Sequence, residues 1–471
     1  MHTDQKPQQA AGIQMTLSEA ADCLGGRFVG SDVLFRGVSS DTRTLPVGAL
    51  YVALSGDRFD GHDFITAARH AGAVAALVEH PVEDPIPQVL VDNARLALGT
   101  LAAVWRNRFA GPLVAVTGSN GKTTVKEMIR AILAHNGPTL ATVGNLNNDI
   151  GVPLTLLRLE PSLHRTAVVE MGANHPGEIA YLAALACPTV ALVNNAAPAH
   201  LEGFGSLRGV AEAKGEIYGA LPTGGVAVIN ADDPHAPLWH SLAKGHSVVT
   251  FGINHPAAVS ATIQEVLGAT QGTRFVLQTP LGACDLTLAL PGRHNVLNAL
   301  AATATAISAG ASLEAIRAGL TNVDGVAGRL RPCLGRNGAQ LIDDTYNANP
   351  ASLRAALEVL AAVPGERCLV LGDMGELGPD AATLHAEAGE IARALGIERL
   401  LGCGRLSQEA VDAFGSGANH YPAIEPLVAA LEKELCPGWT VLVKGSRSAG
   451  MDRVVRLLSN GLTTHKNHSS L

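Results

Sequence analysis

The sequence predicts an α/β protein built from three successive α/β domains, and three observations carry that reading. Short apolar runs alternate with alanine- and leucine-rich helical segments along most of the chain, as sheets covered by helices require. The alternation breaks at two glycine- and proline-containing segments, Arg108-Phe109-Ala110-Gly111-Pro112 and Gly328-Arg329-Leu330-Arg331-Pro332. The length of 471 residues is too great for one core and suits about three domains. The expected boundaries are residues 1–109, 110–331 and 332–471, with residues 1–14 a loose polar tail.

Hydrophobic residues make up 47% of the chain and charged ones 16%, which is ample material for buried parallel strands. A net charge of −8 leaves no footprint for a nucleic-acid backbone or an anionic membrane, so a phosphorylated small molecule is the better partner. The opening residues are polar, and no stretch approaches the roughly 18 unbroken apolar residues of a membrane span. The expectation is a cytoplasmic protein. Its seven cysteines are scattered singly, which fits reduced thiols serving as small core hydrophobes.

In the first domain, short strands such as Ala49–Leu54 alternate with helices such as Phe64–Ala71. In the middle domain the strand runs are Leu113–Val116, Thr166–Glu170, Thr189–Asn194 and Gly225–Asn230, consistent with a mostly parallel sheet. The third carries strands at Gln340–Asp343, Arg367–Leu371, Arg399–Gly402 and Thr440–Val443.

The densest chemistry sits at Thr117-Gly118-Ser119-Asn120-Gly121-Lys122-Thr123-Thr124, between an apolar strand and the helix-like Val125–Arg130. Strand, glycine loop and helix form a phosphate cradle: backbone N–H groups turn toward an anion, Lys122 supplies a cation, and Thr123 places a hydroxyl where Mg²⁺ would sit. The segment therefore predicts ATP or GTP binding. The loop is a shortened form, because Val116 stands where the general pattern has its first glycine.

Function in open α/β sheets gathers at the carboxyl ends of strands. Glu170 ends one strand, and Val190–Val193 leads through Asn194 and Asn195 toward His200; both groups are candidates to face Lys122 and hold a divalent cation. An imidazole suits Mn²⁺ as well as Mg²⁺. The polar loop Asn145–Pro153, which contains Asn147, opens a leucine-rich helix and also has a plain reading as a helix cap with Asn turn residues. Asn295 and Asn298 lie three apart on one helix face and are open to two readings, capping or recognition of a purine edge. In the third domain the strand-end loops Asp343–Pro350, Leu371–Gly378 and Lys444–Ser448 together outline one polar site.

These blocks resemble the Mur ligases over nearly the whole chain. The shortened phosphate loop is that family's form, and Glu170-Met171-Gly172, Ala199-His200-Leu201, Ala213-Lys214-Gly215-Glu216, His294-Asn295 and Gly328-Arg329-Leu330 follow in family order. The resemblance implies a central P-loop ATPase-like domain, a C-terminal Rossmann-like domain and ATP-driven amide formation in peptidoglycan synthesis. Within the family, Val38–Arg43, Asn145–Pro153 and the third-domain loops look like those of members that join D-alanyl-D-alanine to a UDP-muramoyl tripeptide. It further implies that Lys122 and the loop amides hold the phosphates, that Thr123 and Glu170 hold one Mg²⁺, and that His200 joins a second. Lys214 resembles a lysine carried as a carbamate, although a lysine on a helix would otherwise read as solvated. By the same resemblance Asn295 and Asn298 read adenine, Arg329 meets the γ-phosphate and Asp344 meets the nucleotide. The first domain binds UDP near Ser40, Asp41, Thr42 and Arg43, while Asn147, Asn349 and Arg447 are candidates for peptide contacts. A monomer is expected.

Two rivals remain at this level: another ligase of the same fold joining glutamate to muramoyl or folyl substrates, and a nucleotide-dependent switch without ligase chemistry. A second metal site at His200 and Lys214 argues against the switch.

Overall fold

The computed structural model describes residues 12–56, 59–198, 201–268, 272–323 and 325–459. His200 and most of the polar tail lie outside them. Three large sheets follow one another along the chain, and among the described residues there are also two two-stranded pairs, Gln14–Thr16 with Leu34–Arg36 and Ser55–Gly56 with Phe59–Asp60. The first has five strands in the order Arg27–Val29, Gln88–Leu90, Ala75–Val78, Leu50–Val52 and Val38–Ser39, parallel except at the first pair. The third has six, with only Arg331–Leu334 antiparallel to its neighbour Gln340–Asp344.

The middle sheet positions the chemistry. Of its nine strands, Leu113–Thr117 lies between Thr166–Glu170 and Val190–Val193, all parallel. The register sets Val116 beside Glu170 and Thr117 beside Val193, so the phosphate loop, Glu170 and Asn194 leave the sheet at one level. Side chains alternate across the sheet. Leu113, Ala115, Val169 and Val193 enter one core, while Val114, Val116, Val168 and Leu192 enter the other.

The helix after the loop, Lys122–Leu133, buries Val125, Met128, Ile129 and Ile132, a spacing that gives one apolar face. It packs in the same core as Arg293–Ser308, an alanine-rich helix buried on most sides. Its N-cap is Gly121 at φ 79°, so no side chain covers the first-turn amides, and Gly118 at φ 148° makes the preceding turn.

One departure from the expected parallel sheet lies at its far edge, where Val259–Gly268, Gly272–Thr279 and Gly282–Leu288 form an antiparallel meander. There one face meets solvent, as at Val266, so the residues alternate in polarity instead of forming apolar runs. The cysteines are free, but the core reading holds for only part of them: Cys368 and Cys403 are buried, whereas Cys23, Cys187 and Cys436 are exposed.

The first and middle domains share one continuous core that runs from Ile13, Leu50 and Leu98 to Leu113 and Val169. The third domain has two cores of its own, one on each face of its sheet.

Candidate active site

A cavity of about 960 Å³ opens at the carboxyl end of the middle sheet. Ser119–Lys122 and Glu170 form its floor, Asn295 and Asn298 one wall, and Arg329, Asp344, Tyr346, Asn347, Asn349 and Lys444 come from the linker and the third domain.

The phosphate loop is held by the chain just beyond Val193. Asn195 accepts from the Ser119 amide through its carbonyl (3.0 Å) and from the Asn120 amide through its side chain (2.9 Å). Asn194 and Asn195 both donate to the Asn120 carbonyl, and Ser119 Oγ donates to the Ala197 carbonyl. Asn194 also donates to Asn298 Oδ1, and Asn298 donates to Asn295, which donates to the Pro291 carbonyl. A Cβ at Gly121 would lie 2.6 Å from Asn298 Oδ1, so only glycine fits. Neither asparagine caps its helix; both belong to a buried amide chain braced against the loop.

Lys122 folds back over the loop and donates to the carbonyls of Gly118 (2.6 Å) and Ser119 (3.3 Å). Burial pulls its ammonium below the usual lysine range, opposed by the Glu170 carboxylate and assisted by Arg329. Glu170 is 2% exposed. Its Oε1 accepts from Asn147 Nδ2 at 2.8 Å, whereas Oε2 is buried without a hydrogen-bond partner among the described residues. The orphaned buried Glu170 Oε2 and the hydroxyl of Thr123, on the helix after the loop, are both oxygen donors of the kind Mg²⁺ takes.

Lys214, on the helix Leu207–Gly215, is buried rather than solvated, at 2% exposure. Its Nζ donates to the Ala173 carbonyl at 3.4 Å and lies 5.2 Å from the centre of the Phe204 ring. Burial, then repulsion from Lys122, lowers its pKa to about 7. Glu178 and Glu216 act against that shift, but no carboxylate forms an ion pair with it among the described residues.

Arg329 reaches from the linker to donate to Thr123 Oγ1 (2.9 Å) and stacks over Tyr346 at 4.2 Å, with Arg447 5.4 Å from the same ring. Asp344 accepts from Lys444 and from the Leu330 amide, so it fastens the linker. Asn349 caps the helix Pro350–Ala361 and donates across the domain gap to Asn120 Oδ1 at 2.8 Å. Of the three third-domain loops, those at Asp343–Pro350 and Lys444–Ser448 reach this cavity; Asp373 instead accepts from the amides of Leu406 and Ser407.

Ser40, Asp41, Thr42 and Arg43 do not line the cavity. Asp41 accepts a bidentate pair from Arg43, which with the Arg43 amide lowers its carboxyl to about 2. Sequence reasoning singled out neither Tyr346 nor the clamp at Asn195 as functional. The Asn-Asn pair ending a buried strand was the available signal; the two arginines that flank the Tyr346 ring meet it only in the folded chain.

Family models match in three consecutive pieces: Mur ligase family, catalytic domain, over residues 34–106; Mur ligase middle domain over 116–306; and Mur ligase, glutamate ligase domain, over 328–447. The UDP-N-acetylmuramoyl-tripeptide--D-alanyl-D-alanine ligase of Escherichia coli (strain K12) is 49% identical over 453 residues, covering 96% of this chain and 100% of that enzyme. Among solved structures, MurF from Acinetobacter baumannii superposes with a TM-score of 0.88 at 36% identity, covering 94% of this chain and 98% of that one. MurF from Thermotoga maritima, solved in complex with ADP, gives 0.79 at 28% identity over 90% of this chain and 96% of that one. With the phosphate loop, the buried Glu170 and the buried Lys214 gathered at one sheet end and these relatives spanning nearly its full length, the chain belongs to the Mur ligase family.

Proposed function

We propose that this protein joins D-alanyl-D-alanine to the terminal carboxylate of UDP-N-acetylmuramoyl-tripeptide at the expense of ATP, in the cytoplasm and as a monomer. The observation that carries the reading is one cavity in which an uncapped helix N-terminus, Lys122 and Glu170, whose Oε2 has no partner among the described residues, meet residues of the third domain. The relative named above for the same reaction supplies the substrate class.

In the first step a carboxylate oxygen of the tripeptide attacks the γ-phosphorus of ATP, the bond to the bridging oxygen breaks, and ADP leaves. The amine of the dipeptide then attacks the acyl phosphate carbon, loses a proton, and expels phosphate as the amide forms. Both steps concentrate negative charge, so electrostatic positioning is the main contribution asked of the protein. The first-turn amides and Lys122 bind the β- and γ-phosphates. Arg329 faces the γ-phosphate, with Tyr346 fixing its plane. Asn295 and Asn298 stand at the adenine side, and Asp344 with Lys444 holds the linker that carries Arg329. Asn349 and Arg447 border the dipeptide's approach.

Glu170 and Thr123 are the residues that would hold Mg²⁺, which when bound supplies Lewis-acid stabilisation of the phosphoryl oxygens. Lys214 in its free-amine form adds CO₂: the N–C bond forms, a proton goes to solvent, and a carbamate replaces a cation that would repel a second ion. His200, outside the described residues, is the remaining candidate ligand for that ion.

The test is phosphate release from ATP with UDP-N-acetylmuramoyl-tripeptide, with and without D-alanyl-D-alanine. Release that depends on both substrates, and not on D-alanine or glutamate alone, is expected; release driven by glutamate instead would overturn the assignment. A ¹³C-carbamate resonance under ¹³CO₂, absent in Lys214→Met, is the matching result for Lys214.

A further inference from the structure

The cavity does not end at the phosphate loop. Beyond Glu170 it runs into the seam between the first and middle domains, where Arg95, Leu96, Asp149 and Tyr181 line it. Arg95 lies in the first turn of the helix Ala94–Arg106, and its Nη1 donates to Asp149 Oδ2 at 2.9 Å. The two side chains remain 49% and 36% exposed, and Asp149 Oδ1 has no hydrogen bond among the described residues. Tyr181 stands beside them: its hydroxyl is 2.3 Å from where a Cβ on Gly99 would be, on the same helix as Arg95. An exposed ion pair of this kind contributes little to stability. Its position is more telling than its strength.

Asp149 belongs to the loop that carries Asn147, with Asn148 between them, and Asn147 holds Glu170. The Cα atoms of Asn147 and Asp149 are therefore at most about 7 Å apart. Resting on the ligase reading above, we propose that Arg95 and Asp149 recognise the side-chain end of the third residue of the tripeptide, and that they suit an end bearing an ammonium and a carboxylate on one carbon. The third residue's own carboxylate is the one activated beside Glu170. An extended three-methylene side chain places its far carbon about 6 Å from that carboxyl carbon, within reach of the pair. Binding would exchange one ion pair inside the protein for two with the substrate: guanidinium to carboxylate in bidentate fashion, and Asp149 to ammonium. A side chain ending in a bare ammonium gains only the second, and gains it by displacing Arg95, which is left beside a like charge. A site built to satisfy both groups rejects the analogue lacking one.

The experiment compares UDP-N-acetylmuramoyl-tripeptides ending in 2,6-diaminopimelate and in L-lysine by kcat/KM, in wild type, Arg95→Gln, Arg95→Lys and Asp149→Asn. Wild type should favour the diaminopimelate substrate by roughly tenfold or more. Arg95→Gln should erase most of that ratio through KM for the diaminopimelate substrate, with kcat within about twofold, and Arg95→Lys should keep part of it. Asp149→Asn should raise KM for both substrates. Equal kcat/KM in wild type, or an Arg95→Gln loss of the same size on both substrates, would reduce the pair to an interdomain strut and overturn the inference while leaving the ligase standing. Should Arg95→Gln fail to fold, the wild-type ratio and Arg95→Lys decide alone. If neither tripeptide is ligated at all, the ligase reading is what has failed.

Discussion

Asn147 shows how a single amide sets up chemistry it does not perform. By donating to Glu170 Oε1 it fixes the carboxylate so that Oε2 stays turned away from every protein donor described. Asn147→Ala should raise the Mg²⁺ concentration for half-maximal activity by about 10- to 100-fold, the usual cost of losing a ligand's supporting hydrogen bond; an unchanged Mg²⁺ titration would dissociate Asn147 from the metal. His294 gives a second prediction. Burial, with help from Lys444 and against the pull of Asp344, lowers its imidazole from 6.5 to about 4. Because the folded value is depressed, the unfolded chain takes up the proton first. The contribution to stability is therefore whole above 6.5 and is lost as pH falls toward 4. Denaturation midpoints of wild type should drop more between neutral pH and pH 5 than those of His294→Gln, and parallel curves would show that the ring is not held neutral. Lys122 and Thr123 were singled out because they sit in a short contiguous motif, and Lys214 only through the family resemblance. Asn195, Arg95 and Asp149 were not, since their meaning arises from partners 75 and 54 residues away that no local pattern connects.

At the scale of elements, buried parallel strands announced themselves. Thr166–Glu170 was readable to the residue because both its faces are covered and its apolar run is unbroken. The meander at 259–288 escaped for the opposite reason: one wet face dilutes the run, and a bulge between Ile263 and Glu265 interrupts the alternation. Central strands should also be the least forgiving of truncation. Leu192, fully buried at the centre of Val190–Val193, should cost about 2–5 kcal/mol on replacement by alanine, measured by chemical denaturation. A loss below about 1 kcal/mol would mean that the neighbouring Val116 and Val228 collapse into the space.

For the molecule as a whole, Pro112 directly precedes the strand Leu113–Thr117 and Pro332 lies inside Arg331–Leu334, yet covalent punctuation and energetic independence are different things. The first domain has no separate core on its middle-domain side, whereas the third domain keeps its cores to itself and touches the phosphate loop through polar contacts such as Asn349 to Asn120, with the linker adding Arg329 to Thr123. Cooperativity follows shared apolar surface, so heating should melt this chain in two calorimetric transitions instead of three, the first two domains unfolding as one unit. A fragment ending near residue 327 should fold and melt as that unit does in the intact chain, whereas one beginning near residue 110 should expose part of a severed core and aggregate. Three separate transitions, or a well-behaved fragment of the second kind, would refute this. The practical consequence is evolutionary as much as thermal: the third domain is the module that a chain built this way is able to exchange, while the first two can change only together.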